Sequence, residues 1–376
     1  MRKIIFVLLI LFLCSRQGFC ADWPMFRKDS VHSGQSTELL QPPLSLKWKF
    51  EIKEKIISSP CVYQGKLFIG ARDNNLYALD AKTGSLLWKY SSDGWIDSSP
   101  AAAGDKVYFC SRDGYLYCLN IASGDLVWKY KTGGNDLSSP LVEGQRLFCA
   151  TGFPNKYIYC INSQTGAELW KFSTEQMVYS SAAVLENNIY IGANDGNLYC
   201  LNKKNGTEIW KYKTKGGIYC ASPVISDEKV IIAAGDFDWD VQALNISSGR
   251  NIWTYKIEDN QPTPNYVSTT ALAQGLVFIT AGYQNQQLYC LNANKGTLKW
   301  KADLDPALRF GFSSSCVVTE DTVYAASGKG ILRAFEISTG KLKWQYGLSS
   351  GVLSSPCVAH GILYVADLNG TLYALE

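Results

Sequence analysis

The stretch Leu79-Asp80-Ala81-Lys82-Thr83-Gly84-Ser85-Leu86-Leu87-Trp88 decides how this chain folds, because its spacing returns six more times. A glycine stands four residues before a tryptophan at Gly84/Trp88, Gly124/Trp128, Gly166/Trp170, Gly206/Trp210, Gly249/Trp253, Gly296/Trp300 and Gly340/Trp344. An eighth tryptophan, Trp48, lacks the turn in front of it, and the closing Tyr373-Ala374-Leu375-Glu376 lacks the tryptophan behind it. From Trp48 to Trp344 the interval averages about 42 residues, the length of one four-stranded propeller blade.

Working outward from the turn, each repeat reads as four strands. The first starts at a Ser-Ser-Pro signal or a relative of it, such as Ser58-Ser59-Pro60, Ser98-Ser99-Pro100 or Ser354-Ser355-Pro356. The second is an aliphatic-aromatic run such as Lys66 to Ile69, and Asp113-Gly114 or Asn369-Gly370 then supplies a tight hairpin. The third is Leu-Tyr-x-Leu-Asp/Asn, and the fourth carries the tryptophan. The implied fold is all-β: an eight-bladed propeller of four-stranded antiparallel blades. Residues 44–50 supply the missing outer strand of the last blade, so the N-terminal strand closes the ring. Lysines directly after the repeat tryptophan, among them Lys49, Lys89 and Lys129, discourage pairing at the exposed outer edges.

Composition agrees with that reading. The 376 residues are 47% hydrophobic and 18% charged, with 32 glycines, 22 tyrosines and 11 tryptophans against three methionines. Such a balance suits turn-rich sheet and excludes disordered, collagenous and coiled-coil chains. The first 20 residues hold three of the 36 basic groups and none of the 33 acidic ones, so the remainder is neutral and gives nucleic acid no purchase.

Arg2 and Lys3 precede the apolar run Ile4 to Leu13, a pattern read as a signal peptide cleaved after Cys20. The chain therefore divides into a signal peptide (1–20), a leader segment (21–43) and the propeller (44–376). The expected location is outside the cytoplasm, periplasmic or extracellular, with no transmembrane segment, since no later run is long enough to span a bilayer. Cys118, Cys160, Cys200 and Cys290 occupy one strand position that Ala78, Ala243, Ala334 and Ala374 fill in sibling repeats. Residues that interchange with alanine serve as small buried apolar groups, which favours free thiols over a disulfide framework.

The repeated Asp/Asn-x-x-Ser/Thr-Gly-x-x-x-Trp unit resembles the tryptophan-docking motif of the PQQ-like repeats found in quinoprotein alcohol dehydrogenase-like eight-bladed propellers. The opening Asp22-Trp23-Pro24-Met25-Phe26-Arg27, with His32-Ser33-Gly34, resembles the leader segment of the same family. The resemblance implies that Trp48, Trp88, Trp128, Trp170, Trp210, Trp253, Trp300 and Trp344 wedge against neighbouring blades. It also implies a choice between catalytic quinoproteins and a non-catalytic branch, the BamB-like propellers of outer-membrane protein assembly.

The chemistry in the sequence favours the second branch. The dehydrogenases use adjacent cysteines over the quinone and a calcium held by carboxylates, and this chain has no adjacent cysteines. With only His32 and His360, general-base and metal-ligand schemes have little material, and both histidines read as structural. The expectation is therefore no catalytic residue, no cofactor and no metal. The Asp236-Phe237-Asp238-Trp239-Asp240 stretch alternates carboxylates with aromatics but lacks the glycine and glutamate of a calcium loop. Residues just before the Ser-Ser signals should ring the channel mouth: Trp95, Asp97, Asp136, Tyr179, Tyr219, Tyr266, Arg309 and Phe312, joined by Asp236, Asp238 and Trp239. Such an aromatic mouth suits a protein or peptide partner in the cell envelope, with a glycan as the other occupant and a channel plug as the bland reading. A divergent PQQ-dependent oxidoreductase and a glycan-binding cell-surface propeller are the competing functions.

The exchange of cysteine with alanine gives a direct test. Unfolding the protein in denaturant without reductant should expose all ten cysteines beyond residue 20 to a thiol reagent. Recovery of only two or four thiols would identify a disulfide framework instead.

Overall fold

The computed structural model describes residues 21–135, 138–234, 240–257, 268–281, 286–305 and 314–376, so residues 1–20, read above as a signal peptide, lie outside the described residues. Eight separate four-stranded antiparallel sheets are arranged as blades, and no α-helix occurs among the described residues. Blade one runs Cys61–Tyr63, Lys66–Gly70, Asn75–Asp80 and Leu86–Ser91, in that order from the channel outward. Its six successors repeat the pattern. Blade eight contains Cys357–Ala359, Ile362–Ala366 and Thr371–Leu375, and its outer strand is Leu46–Glu51 from the other end of the chain. Trp48 pairs opposite Ala374 and Phe50 opposite Leu372, so the ring is closed by backbone hydrogen bonds between its two ends.

The repeated turn explains why blades stack at a fixed angle. In blade two the amide of Gly124 donates to the Asn120 carbonyl at 2.9 Å, and the Asn120 side chain accepts from the amides of Ala122 and Ser123. Gly124 has φ +77°, the left-handed region that glycine enters without steric cost. A second constraint was not visible in sequence. The face of Gly124 is covered by the indole of Trp88 from blade one, and a Cβ there would stand 2.6 Å from the ring. The same indole donates from Nε1 to the Ile121 carbonyl at 3.2 Å. The pairing recurs seven times: Trp48, Trp88, Trp128, Trp170, Trp210, Trp253 and Trp300 each lie on a turn glycine of the next blade and donate to a carbonyl of that turn, at 2.8–3.2 Å. Trp344 faces the ring seam, where no such glycine exists, and it stacks on Tyr346 instead.

Small residues opposite the tryptophans complete this packing. Ala78, Cys118, Cys160, Cys200, Ala243, Cys290 and Ala334 are the cross-strand partners of the seven tryptophans from Trp88 to Trp344, and all are fully buried. All ten described cysteines are free, and nine are buried, as their exchange with alanine suggests. Burial pushes the Cys118, Cys160, Cys200 and Cys290 thiols up to about 12, so they pack as apolar groups.

The Ser-Ser signals differ from expectation in one respect. The first strand begins after the proline, at Cys61, Ala101, Leu141 or Cys357, and the serines precede it. Their hydroxyls do the joining there. The first serine of a pair binds within its blade: Ser58, Ser98, Ser180 and Ser268 accept from the amides of Gly70, Cys110, Gly192 and Thr280 at 3.0–3.2 Å. The second binds between blades. The amide of Ser59 donates to the Ser99 hydroxyl, Ser99 to Ser139, Ser139 to Ser181, Ser181 to Ser222, Ser222 to Thr269, Ser315 to Ser355, and Ser355 back to Ser59, at 2.9–3.2 Å. These hydroxyls thus tie the blades together around the channel at seven of the eight junctions.

Two turn glycines separate the cost of backbone conformation from the cost of tryptophan contact. Gly104 (φ +61°) has open space where a Cβ would go, whereas Gly124 (φ +77°) has Trp88 there. Gly104→Ala should cost about 1–2 kcal/mol from the left-handed backbone alone. Gly124→Ala should cost roughly 1–3 kcal/mol more through displaced packing. Equal losses in denaturant unfolding would show that the indole contact does not hold the blades.

Candidate functional site

The inner strand of every blade leaves one edge facing the channel, and the leader segment covers it. The leader runs around the channel in blade order. Trp23 exchanges two 2.8 Å hydrogen bonds with Val62 of blade one. The carbonyls of Pro24, Ser30, Val31, Ser33 and Gly34 accept from Ala102, Val184, Ile225, Leu272 and Val318, of blades two, four, five, six and seven. The Glu38 carboxylate accepts from the amides of His360 and Gly361 in blade eight, at 3.0 and 2.6 Å. Arg27 is fully buried beneath the channel, donating to the carbonyls of Cys316 (2.6 Å) and Thr270 (3.1 Å). Burial lowers its pKa to about 10. His32, also fully buried, donates from Nδ1 to the Pro223 carbonyl at 3.1 Å, and desolvation lowers its pKa to about 4. The two leader residues thus act structurally.

Above this belt lies a cavity of about 190 Å³. Phe26 of the leader reaches it from below, and the hydroxyls of Ser59, Ser99, Ser139, Ser181, Ser222, Thr269, Ser315 and Ser355 form its wall. The mouth carries Arg72, Asp97, Arg112, Tyr179 and Cys220. Strand alternation decides which residues face inward: Asp97, Tyr179 and Cys220 each stand two positions before a ring serine. Tyr219 is out of phase, is half-buried, and does not line the cavity.

Of the mouth residues expected from sequence, Asp97 and Tyr179 line the cavity, and Trp95 borders an adjoining recess with Asn74, Asp93, Gly94, Arg112 and Asn135. Asp136, Tyr266, Arg309, Phe312, Asp236, Asp238 and Trp239 lie outside the described residues. Asp97 differs from the expected exposed charge, because its carboxylate is wholly buried between two guanidinium groups. Arg72 grips it with Nε to Oδ1 at 3.0 Å and Nη2 to Oδ2 at 3.1 Å, while Arg112 reaches Oδ2 through Nη2 at 2.7 Å. Trp95 covers both cations, its ring centroid 4.5 Å from the Arg72 guanidinium carbon and 5.3 Å from that of Arg112.

Backbone contacts hold this cluster before any ligand arrives. The Ile96 amide donates to the Ala71 carbonyl (3.2 Å) and the Arg112 amide to the Trp95 carbonyl (2.9 Å). Gly94 lies so close to the blade-two turn that a Cβ would stand 2.4 Å from the Asp113 amide nitrogen, so no larger residue fits. Sequence reasoning missed Arg72 and Arg112. Their signal was an arginine at the same turn position in two adjacent repeats, Ala71-Arg72-Asp73 and Ser111-Arg112-Asp113, where blades four and eight have Asn194 and Leu368.

A family model described as "Beta-alanine-activating enzyme, beta-propeller" matches residues 31–234, more than half of the chain, and one described as "Outer membrane protein assembly factor BamB" matches residues 284–376. The chain belongs to the β-propeller family that the first of these models describes, and its eight four-stranded blades are of the PQQ-like kind. Among curated relatives, outer membrane protein assembly factor BamB of Moranella endobia is 27% identical over 161 residues, covering 41% of this chain and 40% of the relative. That of Yersinia pestis is 27% identical over 148 residues, covering 36% of each. The matched stretch therefore spans about two fifths or less of these relatives' length. Among solved structures, BamB from Moraxella catarrhalis superposes with a TM-score of 0.73 at 14% identity, covering 89% of this chain and 99% of that one. Quinohemoprotein alcohol dehydrogenase from Comamonas testosteroni superposes with a TM-score of 0.80 at 16% identity, covering 94% and 80%. These likenesses concern the fold.

The buried leader histidine yields a pH prediction. With a folded pKa of about 4 against an ordinary 6.5, protonation favours the unfolded chain, so the stability that neutral His32 supports is intact above pH 6.5 and is lost as pH falls toward 4. His32→Gln cannot titrate, so the stability advantage of the parent over this variant should shrink by up to about 3 kcal/mol across that window. Parallel pH profiles would show that His32 is not buried neutral.

Proposed function

We propose that this protein is an exported, non-catalytic propeller scaffold that binds protein or peptide partners in the cell envelope, in the service of outer-membrane protein assembly. The observation that carries this reading is the division of labour in the ring. The tryptophans, turn glycines and ring serines repeat and are spent on holding blades together. The chemistry that does not repeat, Trp95, Arg72, Asp97, Arg112 and Tyr179, gathers at one channel mouth. The curated relatives described as BamB, an outer membrane protein assembly factor, support the assembly context. Tyr219 belongs to the same face, beside the cavity.

The described residues at the mouth do not fit the quinone and calcium of the dehydrogenase branch. Asp97 is the only carboxylate lining the cavity among the described residues, and it is already held by two cations, which a calcium ion would have to displace. No group of three His, Cys, Asp or Glu side chains among the described residues is placed to hold a metal. The single cysteine there, Cys220, has its thiol pushed up to about 12 by burial, leaving neither a thiolate nor a second sulfur beside it. No catalytic step is derived through either group.

Capture of outer-membrane barrel assembly subunits from an envelope extract tests this function. Trp95→Ala and Tyr179→Ala should each weaken capture by roughly 1–3 kcal/mol, about 5- to 150-fold. Thermal midpoints measured alongside separate lost binding from lost folding, because the Trp95 ring lies against arginines of blades one and two and the Tyr179 ring against Gly152 of blade three. Unchanged capture by both variants would move the binding surface elsewhere. Dye-linked alcohol oxidation above the free-cofactor blank, with pyrroloquinoline quinone and calcium supplied, would return the protein to the enzymes.

A further inference from the structure

The mouth cluster pairs its charges unevenly. Two guanidinium groups share one carboxylate in direct contact, and Asp93, which lines the adjoining recess, forms no ion pair with either of them. Asp97 is engaged in full by the two-pronged grip of Arg72 and the third contact from Arg112. Arg112 is not: it uses Nη2 alone, and its buried Nε has no hydrogen-bond partner among the described residues. The Arg112 side chain is 24% exposed and lines both the cavity and the recess beside Trp95, so an anion entering either can meet its guanidinium group. Trp95 lies over both guanidinium groups yet remains 42% exposed, so its position is fixed while its outer face stays open to a ligand. The cavity beyond is lined by hydroxyl groups, which can donate to an anion without adding charge.

We infer that the recess between Trp95, Arg72 and Arg112 is a carboxylate receptor that takes an acidic side chain from an extended peptide segment. This rests on the peptide-binding reading above and deepens it. The incoming carboxylate gives the two guanidinium groups a second carboxylate in direct contact, beside the one they already share. A cavity of about 190 Å³ admits a side chain and a short stretch of backbone but no folded domain, so the occupant is an extended segment. Asp97 acts as a positioning residue, holding both arginines at the mouth, and Trp95 supplies an apolar face for the methylene groups beside the ligand carboxylate.

Fluorescence anisotropy with two short labelled peptides, blocked at both ends, tests the assignment: one alternates glycine with aspartate, the other glycine with asparagine. The full-length mature protein should bind the aspartate peptide at least about tenfold more tightly, and that preference should fall as salt rises. Arg112→Gln should abolish the preference, and Arg112→Lys should restore part of it, since lysine keeps the charge but not the planar fork. A thermal midpoint unchanged in Arg112→Gln separates lost recognition from lost folding; if that variant misfolds, Arg112→Lys and the salt series carry the comparison. Equal binding of the two peptides, sensitive to Trp95→Ala, would overturn the carboxylate receptor and leave peptide binding at the mouth intact. Failure of both peptides to bind would overturn the receptor, while capture of assembly subunits would still decide the broader function. Citrate binding as tightly as the aspartate peptide would overturn the peptide segment in favour of a small free anion.

Discussion

At seven of its eight blade junctions this protein is held together by one indole lying flat on one glycine. The contact combines three physical demands that only this pair meets. Glycine supplies a left-handed turn, its missing Cβ lets the ring approach to packing distance, and the indole N–H finds a carbonyl on the same turn. Removing roughly 200 Å² of indole from water is worth up to about 5 kcal/mol per interface, an upper bound because the unfolded chain already hides part of that surface. Seven such contacts fix the angle between blades, and the angle fixes the ring.

The eighth interface, between blades seven and eight, does not use that device, because blade eight joins its third strand to Leu46–Glu51 by pairing and not through a turn. Within blade eight, Leu46–Glu51 pairs with Thr371–Leu375 through backbone hydrogen bonds, which closes the ring. Toward the channel, two further systems act on what the indoles cannot reach. The serine ring joins neighbouring inner strands, and the leader accepts the amides of the inner edges almost completely around the circle. Buried backbone donors must find partners, and a closed ring without this belt would leave a row of them facing a narrow channel.

The same closure shapes the site. Because repeated residues are committed to holding the ring, specificity falls to the turns and linkers on the mouth face, where substitutions do not disturb the stack. Arg72 and Arg112 come from equivalent turns of adjacent blades, and Trp95 and Asp97 from the linker that crosses between them. The cluster exists because the ring angle brings two turns within reach of one carboxylate. Its uneven pairing of two guanidinium groups with one carboxylate is a property of the assembled mouth, although the chain beyond residue 20 is neutral.

The sequence by itself determined the blade count, the four-strand order, the closing strand and the docking tryptophans. These follow from spacing that recurs along the chain: a turn needing glycine and an indole needing a neighbour leave the same mark in every repeat. It also announced Trp95, Asp97 and Tyr179 as mouth residues, since strand polarity alone puts the linkers on one face. Only the tertiary structure decided that Cys220 and not Tyr219 faces the channel, that Asp97 is a buried counter-ion, and that Arg72 and Arg112 share it. A one-residue change of phase reverses which side chain points inward, and contacts between turns of different blades leave no periodic trace. The leader's path was hidden for the same reason: it meets most blades once, largely through backbone groups that every residue carries.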